Sequence, residues 1–192
     1  MASNINIVLN TLTKIAFGGG CHWCTEAVFQ SLLGVENVEQ GFVASVNANA
    51  SFSEAVIVHY NEAKIPLSVL VEIHLHTHKS TSNHSMRAKY RSAVYIFSDK
   101  QKDVVTSQLE LLQFQFQNKL ITQILPFESF KTSREQIQNY YYSNPEKPFC
   151  ESFINPKLQI LLSKFSKYTD KNKLKHLKDE SRKIKHTEHQ GS

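Results

Sequence analysis

The sequence has few of the residues that interrupt regular structure, and few cysteines. Its 192 residues include six Gly, five Pro and three Cys. Three is a small and odd number for a disulfide framework, so a reactive thiol system fits these cysteines better. No apolar run reaches the roughly 20 residues that a membrane span needs, and Met1–Asn10 lacks the charged and apolar regions of a signal peptide. These absences favour a cytoplasmic protein that does not bind membranes.

Excess positive charge is also missing from most of the chain. Residues 1–163 carry 13 basic and 13 acidic residues, whereas residues 164–192 carry nine and four, which accounts for the whole net charge of +5. A nucleic-acid-binding protein usually spreads basic residues over its folded surface, so this distribution argues against nucleic acid as a partner. We predict a single domain over residues 1–169 and a basic, disordered tail over residues 170–192.

Apolar periodicity predicts alternating strands and helices. Lys14–Phe17 has the pattern of a short strand, and residues 21–33 have the apolar spacing of a helix. The other predicted strands cover 35–46, 54–60, 91–97 and 120–125, and the other predicted helices cover 66–76, 100–118, 133–142 and 155–168. This order predicts an α/β (α+β) two-layer sandwich with a ferredoxin-like split βαβ core, a mixed or antiparallel sheet and extra C-terminal helices.

Cys21 directly follows three glycines, between a predicted strand and a predicted helix. Glycines allow the chain to turn sharply, and the free N–H groups and macrodipole at a helix start stabilise an anion. Such a position lowers the pKa of a thiol and makes the thiolate available near neutral pH. The alternative is an inert, buried cysteine, which the neighbouring glycines and the polar His22 disfavour. We therefore interpret Cys21 as a reactive nucleophile.

Two other cysteines could react with an oxidised Cys21. Cys24 lies one helical turn away in a Cys-x-x-Cys unit, and the pattern fits a redox role and a core position equally well. Cys150 lies in a segment rich in Pro, which we expect to be an irregular loop that can approach Cys21.

Two other kinds of function stay open on this evidence. Cys21 and Cys24 could be the pair of a general dithiol oxidoreductase. They could also bind zinc in a non-catalytic module, although no second Cys or His pair lies at a familiar zinc-finger spacing. The histidines available for such a site are His74, His76, His78 and His84. We assign no metal site.

Several ordered motifs extend from about Lys14 to Lys164. Gly20-Cys21-His22-Trp23 resembles the Gly-Cys-Phe-Trp signature of the A-type peptide methionine sulfoxide reductases, and Tyr90-Arg91-Ser92-Ala93 resembles their Tyr-Arg-Ser motif. Other segments are similar to that family at compatible spacing. They are Glu26–Phe29, Leu33–Val35, Gly41-Phe42, Ser53–Val56, His78, Tyr140-Tyr141, Asn144-Pro145 and Phe149-Cys150.

The resemblance implies a peptide-methionine (S)-S-oxide reductase, an oxidoreductase of protein repair that needs no cofactor. Cys21 would attack the sulfur of the S epimer of methionine sulfoxide, free or in proteins, and become a sulfenic acid. Glu54 would protonate the oxygen if a partly apolar pocket raises the pKa of its carboxyl. Cys150, ranked above Cys24, would then form a disulfide that thioredoxin reduces. We expect one catalytic domain that acts as a monomer.

The resemblance also implies a substrate pocket lined by His22, Trp23, Phe42 and Tyr90. Trp23 would form an apolar wall for the methyl group, and Tyr90 would hydrogen-bond the sulfoxide oxygen. The sequence departs from the family where His22 replaces Phe, Phe42 replaces a pocket Tyr and Ser85 replaces an Asp. These changes remove two groups that handle protons, so we expect either lower activity or compensation by His22 and His84.

Overall fold

The computed structural model describes residues 12–177, whose six strands form one sheet. The strands are β1 (Leu12–Gly18), β2 (Val35–Ala44), β3 (Ser53–Asn61), β4 (Ala93–Ile96), β5 (Gln123–Pro126) and β6 (Ser129–Thr132). They lie in the order β5-β4-β1-β3-β2-β6. All neighbouring strands are antiparallel except β4 and β5, which are parallel. The predicted mixed sheet is therefore confirmed.

Five α-helices lie wholly within the described part of the chain. They are α1 (His22–Gln30), α2 (Leu67–Thr77), α3 (Asp99–Leu112), α4 (Tyr140–Ser143) and α5 (Asn155–Lys164). A π-helical turn at Cys150–Ile154 leads directly into α5. No helix among residues 12–177 is both long and apolar enough to cross a membrane.

The main core lies between one face of the sheet and the helices. Side chains alternate between the two faces of a strand. Val56 and Val58 of β3 accordingly join the main core, whereas Ala55 and Ile57 join a smaller cluster on the opposite face. β3 is the most central long strand and is nearly all buried, which explains its run of apolar and β-branched residues. This arrangement confirms the predicted α/β sandwich.

Two predicted helices are shorter in the structure, and one strand was not predicted. The helix predicted over 100–118 ends at Leu112, and the helix predicted over 133–142 is reduced to α4. No periodic pattern indicates β6, because this edge strand has the polar sequence Ser-Phe-Lys-Thr and only partial burial. This strand forms because its backbone pairs with β2 from Gly41 to Ala44. Its side chains show no alternating apolar pattern.

The predicted tail is folded at its start. Leu174 and Leu177 are completely or almost completely buried in the main core. The backbone N–H of Asp170 also donates to the carbonyl of Ser31 at 2.8 Å. The predicted boundary at residue 170 is therefore wrong, because two leucines spaced three residues apart among lysines still provide an apolar anchor. The rest of the predicted tail lies outside the described residues.

Candidate active site

The glycine turn brings Cys21 to the start of α1, as the sequence pattern predicted. β1 ends at Gly18, and Cys21 is the residue that precedes the first turn of the helix. A Cβ atom at Gly19 would lie 2.4 Å from the ring carbon Cδ2 of His78. The turn therefore has room only for a glycine at this position, and the His78 ring packs directly against it.

The Cys21 thiol ionises more readily than an ordinary thiol. The largest cause is a hydrogen bond from the Cys24 thiol, to which the backbone N–H of Trp23 adds. Burial and the charge of Glu54 act in the opposite direction, and the balance lowers the pKa of Cys21 to about 7. The same hydrogen bond and burial raise the pKa of Cys24 far above the usual range. Cys21 is thus the ionised member of the pair, which supports its interpretation as a nucleophile.

Glu54 is an ionised carboxylate, contrary to the expectation that its carboxyl would stay protonated. Burial by itself would raise its pKa, but the side chain and the backbone N–H of His22, together with Lys89, lower it below the ordinary value. Oε2 of Glu54 lies 2.7 Å from Nδ1 of His22 and accepts the backbone N–H of His22 at 3.1 Å. Oε1 lies 3.4 Å from Nζ of Lys89. The expectation failed because it considered only the apolar pocket and not these partners.

Phe42 completes the surroundings of this ion pair. It lies directly opposite Glu54 in the register of β2 and β3, and its ring meets the His22 ring edge-on with centroids 5.4 Å apart. His22 and Glu54 are only 5% and 6% exposed. The two residues that sequence analysis assigned to separate roles therefore form one buried unit against an apolar ring.

Trp23 belongs to an aromatic stack. Its indole lies parallel to the Tyr140 ring at 4.1 Å between centroids, and Phe149 meets it edge-on at 5.4 Å. Nζ of Lys147 lies 4.1 Å from the centroid of the Tyr140 ring. One face of Trp23 is therefore covered by Tyr140.

A cavity of about 510 Å³ opens beside Cys21. The residues that line it include Cys21, Cys24, Tyr90, Phe149, Phe153 and Lys157. The structure thus brings Tyr90 and both cysteines of the Cys-x-x-Cys unit to one cavity. His22, Trp23, Phe42 and Glu54 are not among its lining residues. Glu54 and Phe42 contact His22 instead.

Cys150 does not lie in an irregular loop, which corrects the sequence-based expectation. It begins the π-helical turn before α5, and its side chain is fully buried. Its Sγ contacts the carbonyl of Asn144 at 3.6 Å, whereas the Sγ of Cys24 contacts that of Phe153 at 3.9 Å. The apolar residues that follow Cys150 explain this result, because Ile154 and Leu158 lie on the same buried helical face. All three cysteines are free thiols.

Arg87 is a structural residue of the site that sequence analysis missed. Its Nη1 donates to the carbonyls of Gly19 at 3.0 Å and Tyr90 at 2.9 Å, and its Nε donates to that of Ser82 at 2.9 Å. These bonds tie the loop that carries Tyr90 to the glycine turn before Cys21. A single arginine in a polar loop gives no periodic signal, so the sequence offered no way to find this role.

Lys157 was also missed. It lines the cavity, donates from Nζ to the carbonyl of Thr77 at 2.5 Å, and lies close enough to Cys24 and Cys21 for their charges to affect it. Burial nevertheless lowers its pKa. Helical spacing could have revealed it, because residue 157 lies two turns after Cys150.

Two histidines of the zinc alternative, His76 and His78, use their ring nitrogens for other contacts. Nδ1 of His78 contacts the carbonyl of His74 at 2.5 Å, and Nε2 contacts the Ser92 hydroxyl at 2.8 Å. Nε2 of His76 contacts Gln115 at 2.9 Å. Within residues 12–177 no three His, Cys, Asp or Glu side chains are arranged to hold a metal ion. The described geometry therefore offers the zinc-module alternative no ligand set.

Comparison with known proteins decides between the remaining functions. Residues 13–172 match the family model for peptide methionine sulfoxide reductase. The chain belongs to this family. A relative named peptide methionine sulfoxide reductase MsrA, from Trichodesmium erythraeum, is 34% identical over an alignment of 170 residues that covers 80% of this chain and 96% of the relative.

Two solved structures have the same fold. Mxr1 from Saccharomyces cerevisiae in an oxidised form is 25% identical with a TM-score of 0.60, covering 70% of this chain and 83% of that one. Mxr1 in complex with Trx2 is 23% identical with a TM-score of 0.56, covering 73% and 92%. These likenesses confirm the predicted fold class and the reductase family that the motifs indicated.

Proposed function

We propose that this reductase acts on methionine sulfoxide through the sulfur of Cys21. The observation that carries the proposal is the lowered pKa of Cys21, about 7, at the wall of a cavity that Tyr90 also lines. The thiolate attacks the sulfoxide sulfur and forms an S–S bond, while the oxygen takes up one proton. The S–S and S–O bonds then break as the hydroxyl group passes to the Cys21 sulfur, which is oxidised by two electrons as the sulfoxide sulfur is reduced by two. Methionine is released, and Cys21 is left as a sulfenic acid.

The sulfenic acid needs a second thiol, and the chain offers two. Cys24 contacts the Cys21 sulfur through a hydrogen bond, which supports it as the first partner in a disulfide that forms with release of water. Cys150 is buried, and its charge acts on Cys24, which supports a later exchange with the Cys21–Cys24 disulfide. This order reverses the ranking that the resemblance alone suggested.

The substrate pocket is proposed to use Tyr90, which lines the cavity, as the hydrogen-bond donor to the sulfoxide oxygen. Trp23 is proposed as the apolar wall on the motif resemblance, since it does not line the cavity. The motif resemblance supports the S epimer, free or in proteins, as the substrate. Thioredoxin is the proposed reductant, supported by the complex of Mxr1 with Trx2. Three free cysteines fit the reducing cytoplasm. We propose that residues up to at least 177 form one catalytic domain, which acts as a monomer.

The deciding experiment supplies each sulfoxide epimer with dithiothreitol to the wild type and to Cys21→Ser. We expect turnover of the S epimer alone and its loss in the variant. Turnover of the R epimer alone, or activity that survives the substitution, would contradict the proposal. Reversible cycling of Cys21 with Cys24 but no sulfoxide turnover would instead favour the general dithiol oxidoreductase.

The choice of resolving thiol is tested separately. One equivalent of sulfoxide without reductant should yield a Cys21–Cys24 disulfide first, detectable by peptide mapping. Cys24→Ser should leave a sulfenic acid that dimedone traps, whereas Cys150→Ser should leave the first disulfide unchanged. The opposite pattern in the two variants would restore Cys150 as the first resolving thiol.

A further inference from the structure

The cavity beside Cys21 is lined by lysines and by no acidic residue. Lys79 and Lys157 belong to its wall, and no Asp or Glu is among the lining residues that the structure describes. Lys79 is exposed, whereas Lys157 is partly buried. A cleft lined by charges of one sign attracts ligands of the opposite sign and raises their local concentration. The cavity therefore favours a ligand that carries a negative charge.

Lys157 lies in the first turn of α5, near both cysteines of the Cys-x-x-Cys unit. The Sγ of Cys24 contacts the carbonyl of Phe153 at 3.9 Å. Residue 157 follows Phe153 by one helical turn, which is about 6 Å along the helix axis. The charges of Cys24 and Cys21 also act on the Lys157 ammonium group. Lys157 is thus placed in the same cavity as the attacking sulfur and about one turn beyond Cys24.

The ammonium group of Lys157 can form further hydrogen bonds. Nζ donates to the carbonyl of Thr77, the last residue of α2, at 2.5 Å. An ammonium group has three donors, and no Asp or Glu among residues 12–177 forms an ion pair with Lys157. The Cys21 thiolate is an opposite charge within the cavity, but this charge disappears when the thiolate attacks the sulfoxide. A carboxylate that enters with the substrate would compensate the lysine, because a partly buried charge is costly without a partner.

Methionine sulfoxide can bring a carboxylate to this position. Four bonds separate its sulfur from its carboxyl carbon, a span of about 5 Å at ordinary bond lengths. A substrate whose sulfur contacts Cys21 can therefore extend toward Lys157 along the cavity wall. In a peptide, the side chain of a neighbouring Asp or Glu offers the same chemical group.

We propose that Lys157 is a specificity-determining residue that binds a carboxylate of the substrate. The substrate class is a methionine sulfoxide that carries a carboxylate close to the oxidised residue, either its own α-carboxylate or an acidic side chain next to it. Lys79 adds attraction at the exposed part of the wall. This assignment rests on the proposed function, since it concerns the same cavity and the same reaction.

The test compares substrates that differ only in this charge. N-acetyl-methionine-(S)-sulfoxide is compared with its carboxamide, and a blocked tripeptide with Asp after the oxidised residue is compared with its Asn counterpart. N-acetylation removes the α-ammonium group, which the two lysines would repel. For the wild type with dithiothreitol, we expect kcat/KM to be about tenfold higher for the charged member of at least one pair, as for a charge-assisted hydrogen bond. The pair with the larger ratio identifies the source of the carboxylate.

Variants on α5 connect this preference to Lys157. Lys157→Met should bring the ratios of kcat/KM in both pairs close to one, whereas Lys157→Arg should keep most of the preference. Lys164→Met is the matched control, because it removes a lysine from the same helix but outside the cavity. It should keep the wild-type ratios, which excludes a general effect of net charge.

A purely structural role for Lys157 would give a different result. If Lys157 only caps α2 through its bond to Thr77, Lys157→Met would lower the free energy of unfolding in urea but keep the wild-type ratios. That outcome would overturn the assignment, as would wild-type ratios near one in both pairs. Absence of turnover with all four substrates would instead contradict the proposed function, on which the assignment depends.

Discussion

The thiol of Cys24 donates a hydrogen bond to the sulfur of Cys21, so that one cysteine of the pair ionises while the other is kept protonated. At the start of a helix, a lone cysteine would be stabilised only by backbone N–H groups. Here the group that stabilises the Cys21 thiolate is itself a thiol that can react with it. Once Cys21 is oxidised, its thiolate no longer holds the Cys24 proton. The pKa of Cys24 should then fall. This happens at the step in which the Cys24 sulfur attacks the oxidised Cys21.

Replacing Cys24 should therefore raise the pKa of Cys21. In Cys24→Ala the main stabilising donor is lost, and a rise of about one unit would lower the alkylation rate at pH 7 about fivefold. Cys24→Ser retains a donor and should show a smaller rise. The measurement is the pH dependence of iodoacetamide alkylation of Cys21. A midpoint that stays at about 7 in both variants would show that the helix start alone is sufficient.

Gly19→Ala should destabilise the protein by about 1–3 kcal/mol, because the new methyl group would overlap the His78 ring. Gly20 provides a matched control in the same turn, since a Cβ atom there would meet nothing within 4 Å. Urea unfolding of Gly19→Ala and Gly20→Ala at neutral pH tests the difference. Equal stabilities for the two variants would contradict the packing described here.

Arg87→Ala should weaken the loop that carries Tyr90. Loss of charge-assisted hydrogen bonds to the carbonyls of Gly19, Ser82 and Tyr90 should lower the free energy of unfolding by about 1.5–3 kcal/mol. Sulfoxide turnover should also fall, because Tyr90 and Cys21 lose their common anchor. Arg134→Ala, at an exposed position, is the control. Urea unfolding and the S-epimer assay measure the two effects.

The protein should lose stability in mild acid because of His78. Burial lowers the pKa of this histidine to about 3 in the folded state, whereas an unfolded histidine titrates near 6.5. The unfolded chain then binds more protons than the folded chain. The stabilisation is thus complete above pH ~6.5 and is lost as the pH falls toward the folded value.

Substitution of His78 should reduce this acid sensitivity. The wild type should lose about 3 kcal/mol of stability from this group between neutral pH and pH ~4. His78→Gln removes the titration, so urea unfolding at the two pH values should differ less than for the wild type. His84→Gln should keep the wild-type difference. An equal acid sensitivity in His78→Gln would show that other groups cause it.

The sequence predicted most of the fold because the central strands are buried and apolar. The short apolar run in β1 and the β-branched run in β3 reflect residues that pack in the core. β6 could not be predicted in this way, because the Lys131 side chain and its neighbours stay partly exposed while their backbone pairs with β2. Local patterns report the burial of side chains and carry no information on backbone pairing at a sheet edge.

Features of the site that depend on neighbouring residues in the sequence could be predicted. Features that depend on contacts between distant residues could not. Cys21 was found from the glycines next to it, since helix starts and turns are encoded within a few residues. The ionisation of Glu54 was misjudged because its partners, His22 and Lys89, lie 32 and 35 residues away along the chain. Arg87 was missed for the same reason.

The buried leucines near the end of the described region limit how far this protein can be shortened. A chain that stops after Thr169 would lack Leu174 and Leu177 and would leave their sites in the core open to water. Each missing leucine forfeits about 1.5–3 kcal/mol of burial, which is a large part of the margin that keeps a domain of this size folded. Versions made for crystallisation or isotope labelling should therefore retain residues up to at least 177.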